Sequence, residues 1–104
     1  MEIRIRPFRC GDKYAVELDE FSPRGGYVKF LKNFCHHIGA GFLDWNQRPD
    51  SGIGHISFEN QELIVYWSDF PDTFSFDCHS QVQAERLKHL VDAYLAVHGC
   101  HEQR

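Results

Sequence analysis

Between His55 and Cys78 the apolar residues of this chain recur at every second position in short runs, and beyond Val82 they recur at every third and fourth. A period of two belongs to a strand with one face packed, and a spacing of three and four belongs to a helix. The chain must therefore join strands to a helix, which excludes an all-helical or an all-β domain. The runs His55–Phe58 and Leu63–Trp67 flank Glu59-Asn60-Gln61-Glu62 as a hairpin, and Thr73–Cys78 directs Phe74, Phe76 and Cys78 inward as the third strand of a meander. Ser80-Gln81-Val82-Gln83 is a capping-box pattern, in which a serine hydroxyl and a glutamine amide satisfy free backbone donors at a helix start. Leu87, Leu90, Val91, Tyr94 and Leu95 then continue at helical spacing until Gly99.

The N-terminal third repeats this logic. Ile3 and Ile5 alternate with Arg4 and Arg6, and Tyr14, Val16 and Leu18 alternate after the turn signal Cys10-Gly11-Asp12. This predicts a hairpin that sets the two arginines against Ala15, Glu17 and Asp19, with Pro7 and the arginines guarding an edge strand. Ser22-Pro23 reads as a helix cap, and Tyr27, Phe30, Leu31, Phe34 and Ile38 share one helical face up to Gly39. Gly25 and Gly26 each cost about 1 kcal/mol in a helix, so the helix starts as late as Tyr27. Residues 39–52, rich in Gly, Asp, Asn and Pro, read as a long connection that carries Phe42 and Trp45.

These elements predict one α+β domain over residues 1–104, of order ββαβββα. The expected sheet is mixed, of about five strands, with both helices packed on one face, a right-handed crossover after the first hairpin and a frayed tail at 98–104. The in-phase residues give an expected core of Ile3, Ile5, Val16, Leu18, Phe30, Phe34, Ile56, Phe58, Ile64, Tyr66, Phe74, Phe76, Leu87, Val91 and Tyr94. Three meander strands would bring the Cys10–Lys13 turn, the 39–52 connection, the Trp67–Asp72 loop and both helix C-termini to one end of the molecule.

With 104 residues the chain is of single-domain size. Its first twenty residues hold no apolar signal region, and no run approaches the roughly 18 apolar residues of a membrane span. The expectation is a cytoplasmic protein whose four cysteines, Cys10, Cys35, Cys78 and Cys100, are free thiols. Charge is unevenly distributed. Residues 1–38 hold seven Lys and Arg against five Asp and Glu, whereas residues 39–104 hold four against ten. From residue 49 to 85 there is no Lys or Arg, but there are seven acids, a composition that repels nucleic acid and attracts a cationic partner.

The order αβββα over residues 23–98 resembles that of a double-stranded-RNA-binding domain. Where such a domain places lysines at the start of its last helix, this chain has Gln81-Val82-Gln83-Ala84-Glu85, so the resemblance is one of topology and no nucleic-acid partner is expected. Cys35, His36 and His37 at one helix end and His98, Cys100 and His101 at the other are of zinc-binding type. They lack a C-x-x-C pattern, and histidines in a last helical turn already complement the helix dipole, so no metal or other cofactor is expected. Gly39-Ala40-Gly41 follows a helix instead of leading into one and is no phosphate loop. Cys78-His79-Ser80, with Asp77 as a possible carboxylate, places a possible nucleophile beside a possible base, but adjacent residues are badly placed for a relay. A metal-binding domain using the Cys/His groups and an enzyme using His79 or His55 are the alternative readings. The expectation is a protein that is not an enzyme. The segment Trp67-Ser68-Asp69-Phe70-Pro71-Asp72 mixes aromatic residues with carboxylates in a loop. Together with Asp44 and Trp45 it predicts a partner-binding surface of Asp44, Trp45, Trp67, Asp69, Phe70 and Asp72 for a basic protein, as in an immunity protein or an inhibitor. The sequence leaves open whether the chain is a monomer or a homodimer.

Overall fold

A computed structural model describes residues 2–8, 11, 13–69 and 72–98. The elements are β1 (Glu2–Pro7), β2 (Tyr14–Asp19), α1 (Tyr27–Ile38), β3 (Gly41–Gln47), β4 (Ser51–Phe58), β5 (Gln61–Asp69), β6 (Asp72–Cys78) and α2 (Gln81–His98). The fold is α+β, of order ββαββββα. All six strands form one sheet in the order β1-β2-β6-β5-β4-β3, and every neighbouring pair is antiparallel. Two features of the sequence reading are thereby corrected. The sheet is antiparallel instead of mixed, and the 39–52 connection contains a strand, β3, whose alternation is broken by a register shift between Phe42 and Asp44. A bulge of this kind inserts one unpaired residue and hides the period of two.

The sixth strand changes the path of the chain. Pro7 pairs with Tyr14 and Tyr14 with Cys78 at one end of the sheet, while Asp69 pairs with Asp72 and Gln47 with Gly52 at the other. A meander of four strands instead of three sends the Asp69–Asp72 pair to the end opposite the Pro7–Tyr14 pair, so the expected gathering is corrected in part: the Asp69–Asp72 pair shares its end with Gln47–Gly52 but not with the connection between β1 and β2.

The helix ends follow from local chemistry. Gly26, not Ser22, caps α1 at its N-terminus, and no side chain assists it. Gly39 closes α1 at φ 77°, a left-handed conformation that costs glycine little. At α2, Ser80 Oγ accepts the Gln83 N–H at 3.1 Å, as the capping pattern predicts. Gln83 Oε1 accepts the His79 N–H at 2.8 Å, and its Nε2 donates to Gln61 Oε1 at 2.7 Å, which ties the helix start to β5.

A single hydrophobic cluster joins α1 (Phe30, Leu31, Phe34), α2 (Leu87, Val91, Leu95) and alternate strand residues, among them Val16, Leu18, Ile56, Phe58, Phe74 and Phe76. Ile3, Ile5 and Tyr94 pack against it half-buried. On β5 the expected phase is inverted. Leu63, Val65 and Trp67 are in the core, whereas Ile64 and Tyr66 are exposed. Pairing with β4 decides this, because residues directly opposite each other share a face. Glu59 and Asn60 take φ of 56° and 63° as the two residues of a tight turn, and this register pairs Phe58 with Gln61 and Ile56 with Leu63.

Candidate binding surface on the outer sheet face

The strand residues out of phase with the core form an outer face whose composition can be followed row by row from the register. One row runs Arg4, Glu17, Ser75, Tyr66, Ile53, Asn46, and the next runs Arg6, Ala15, Asp77, Ile64, His55, Asp44. At the β1 side the charges are paired. Glu17 is only 6% exposed, with Arg6 Nε at 2.7 Å from one carboxylate oxygen and Arg4 Nη2 at 3.0 Å from the other. Arg4 also pairs with Asp19, which accepts a hydrogen bond from Thr73 Oγ1 at 3.3 Å. The predicted cross-strand charge pairing is therefore present.

The centre of the outer face is apolar. Ile53 is 40% exposed, Ile64 37% and Tyr66 45%, and Ile53 lies directly opposite Tyr66 across the β4–β5 ladder. Two shallow depressions flank Tyr66. One, of about 290 Å³, is floored by Glu17 and Ser75, and the other, of about 230 Å³, lies against Ile53, Asn46 and Arg48. Toward β3 the face turns acidic. His55 Nδ1 lies 2.8 Å from Asp44 Oδ1 and Nε2 lies 3.8 Å from Glu62 Oε2, and both carboxylate side chains are 64% exposed. Asp77, half-buried beside Ile64, holds its proton to higher pH than an ordinary carboxylate because partial burial penalises its charged form.

The six residues expected to form a binding loop are divided by the structure. Trp67 belongs to the core at 9% exposure, and its indole N–H donates to Asp72 Oδ1 at 3.1 Å. Trp45 and Trp67 meet around the Tyr27 ring, with centroids 6.0 and 5.1 Å away, and Tyr27 stacks on Phe74 at 5.1 Å. The Trp45 ring lies over Gly52 and Gly54, where a Cβ would come within 3 Å of it. Both tryptophans therefore close one end of the core. Asp44 sits on the outer face, Asp69 and Asp72 face each other across the β5–β6 turn, and Phe70 lies outside the described residues. The exposed aromatic residue of the outer face is Tyr66, which the sequence reading placed inside.

The other candidate groups have structural partners. Cys35 and Cys78 are buried and unpaired, and burial pushes their thiols up to about 11 and about 12. Cys10 and Cys100 lie outside the described residues. His79 Nε2 lies 2.9 Å from the Glu62 carbonyl oxygen. The His37 and His98 rings approach to 5.5 Å, both against Tyr94, so the two helix ends do meet there. Among the described residues no group of three or more His, Cys, Asp or Glu is placed to hold a metal ion, and His101 lies beyond them. Beside α2, Phe58, Val82 and Leu90 line a shallow groove of about 400 Å³, spanned by the two-pronged pair of Arg86 with Glu59 at 2.6 and 2.7 Å. No helix among the described residues is long and apolar enough to cross a membrane. Comparison with protein families, with characterised proteins and with solved structures finds no match for this chain.

Proposed function

We propose that this domain is a small, non-enzymatic cytoplasmic binding protein whose helices cover one face of the sheet and whose outer face engages a basic protein. One coincidence carries the reading: the exposed patch of Ile53, Ile64 and Tyr66 lies on strands drawn from residues 49–85, the stretch without Lys or Arg. Protein interfaces place an aromatic anchor in an apolar centre and polar groups around it. Tyr66 takes the anchor's place here, in the position first given to Trp67. Asp44 and Glu62 stand exposed around the patch and would steer a cationic partner, whereas Asp69 follows the phase of Trp67 and lies toward Tyr27 on the other side of the sheet. Arg4 and Arg6 oppose this little, since both are engaged by Glu17 and Asp19. A protein that acts on nucleic acid carries a cationic cleft of the kind such a face complements, and the domain would then serve as its immunity protein or inhibitor.

The test is kinetic. Once a partner is captured from the source cells, association should slow as salt is raised, and Glu62→Gln should lower the on-rate. Tyr66→Ala should chiefly raise the off-rate by removing the anchor. Binding that is insensitive to salt and to both substitutions would remove this face from consideration.

A further inference from the structure

The two edges of the sheet are not equivalent. β1 carries Pro7 and two arginines, devices that discourage strand addition. β3, at the other edge, has neither proline nor a basic residue. We propose that β3 is a self-association edge, at which two copies of this chain pair antiparallel about a two-fold axis at Asn46 and join their sheets.

The register follows from the backbone. The Arg48 N–H donates to the Ser51 carbonyl at 2.8 Å, which makes Arg48 and Ser51 a hydrogen-bonded pair of the β3–β4 ladder. Antiparallel ladders alternate hydrogen-bonded and non-hydrogen-bonded pairs. Asn46 with Ile53 is then hydrogen-bonded, while Gln47 with Gly52 and Trp45 with Gly54 are not. The backbone N–H and C=O of Trp45 and Gln47 accordingly face away from β4, along the open edge. A strand from a second copy must meet these groups, which limits a two-fold pairing within this stretch to axes at Trp45, Asn46 or Gln47.

Charge selects among the three. With the axis at Trp45, Asp44 faces Asn46. With the axis at Gln47, Asp44 faces Asp50 and two carboxylates repel. With the axis at Asn46, Asp44 of each copy faces Arg48 of the other, giving two ion pairs on the outer face. Trp45 then pairs with Gln47 through four backbone hydrogen bonds in all, and the two Asn46 amides meet at the axis. Both charged residues are exposed, and among the described residues the Arg48 guanidinium meets no carboxylate. Opposite charges placed directly across a ladder favour a register, and like charges oppose it. This inference shares Asp44 with the proposed partner surface, but it rests on the edge of β3 and not on the central patch of Ile53, Ile64 and Tyr66.

The measurement is sedimentation equilibrium of the purified protein over a range of concentrations, with circular dichroism to confirm that each variant is folded. The wild type should show a monomer–dimer equilibrium. Asp44→Lys and Arg48→Asp, each alone, should weaken the dimer by about tenfold or more, since each turns two attractive pairs into repulsive ones. The double variant Asp44→Lys/Arg48→Asp should recover wild-type association, because the pairs are restored with their signs exchanged. Recovery also separates the seam from the loss of the Asp44–His55 pair, which the double variant does not restore. A wild type that stays monomeric at all concentrations overturns the proposal. So does a dimer indifferent to the single substitutions, or one that the double variant fails to recover.

Discussion

Gly54→Ala tests the strand that the sequence concealed. An alanine in a strand is ordinarily no worse than glycine and gains about 0.5–1 kcal/mol by restricting the unfolded chain. At Gly54 the added Cβ would lie 2.3 Å from the Asp44 carbonyl oxygen, 2.8 Å from Trp45 Cε3 and 3.1 Å from Trp45 Cα, so it meets the backbone of β3 as well as the Trp45 ring, and moving the ring alone cannot make room for it. β3 must shift, and overpacking of this kind costs about 1–3 kcal/mol, which for a domain of this size lowers the melting temperature by about 5–20 °C. Gly41→Ala is the internal control: its Cβ would sit 3.5 Å from Ser57 Cβ, an ordinary contact, and it should leave stability unchanged or slightly raised. Gly52 gives the third arm, because the three atoms nearest its added Cβ all belong to the Trp45 ring, the nearest at 2.2 Å. Trp45→Ala should therefore relieve the strain of Gly52→Ala but not that of Gly54→Ala, a difference that thermal unfolding of the double variants reads directly. Equal melting temperatures for Gly54→Ala and Gly41→Ala would refute the packing of β3 on β4 described above.

Leu87, fully buried in the core, should cost about 2–5 kcal/mol as Leu87→Ala in urea unfolding. The phase of β5 is tested by a pair of neighbours: Ile64→Lys should change stability by less than about 1 kcal/mol, whereas Val65→Lys places a charge in the core and should cost about 4 kcal/mol or more. Burial holds the thiols of Cys35 and Cys78 at about 11 and about 12 against an ordinary value of 9.0, and it also raises the Tyr27 phenol, so the folded state keeps these protons to higher pH than the unfolded state. Their contribution is complete below about pH 9 and is lost as pH rises through the folded values; the urea midpoint should therefore fall between pH 8 and pH 10.5, and a constant or rising midpoint would contradict the burial.

How far the sequence could be read depended on whether one signal stood alone. The Ile3-Arg4-Ile5-Arg6 alternation and the Ser80–Gln83 cap each have one interpretation, and the first hairpin and α2 follow from them. Residues 63–67, Leu-Ile-Val-Tyr-Trp, are apolar in both phases, so periodicity could not say which side faces in. Pairing with β4 settles it: Ile56, on the core face, lies opposite Leu63. Even a four-residue turn, which would set Phe58 opposite Leu63, gives the same phase, so an expected core holding Ile56 and Phe58 together with Ile64 and Tyr66 was inconsistent with its own hairpin. β3 was concealed by its bulge at Leu43 and by the glycines of β4, which look like loop residues until the Trp45 ring is seen lying over them. That omission moved the Asp69–Asp72 turn to the wrong end. The binding surface was legible only as charge: the cation-free stretch from 49 to 85 was evident, but its apolar centre was not, because Ile64 and Tyr66 had been assigned to the core.

The proposed function stands or falls most directly on a comparative capture. Immobilised wild type and a Tyr66→Asp/Ile64→Ser variant, both shown to be folded, are exposed to the same lysate of the source cells, and retained proteins are quantified by mass spectrometry. The prediction is a protein of basic composition retained by the wild type, lost from the outer-face variant and released by raised salt. Retention of the same proteins in the same amounts by both would contradict a binding role for the outer face of the sheet.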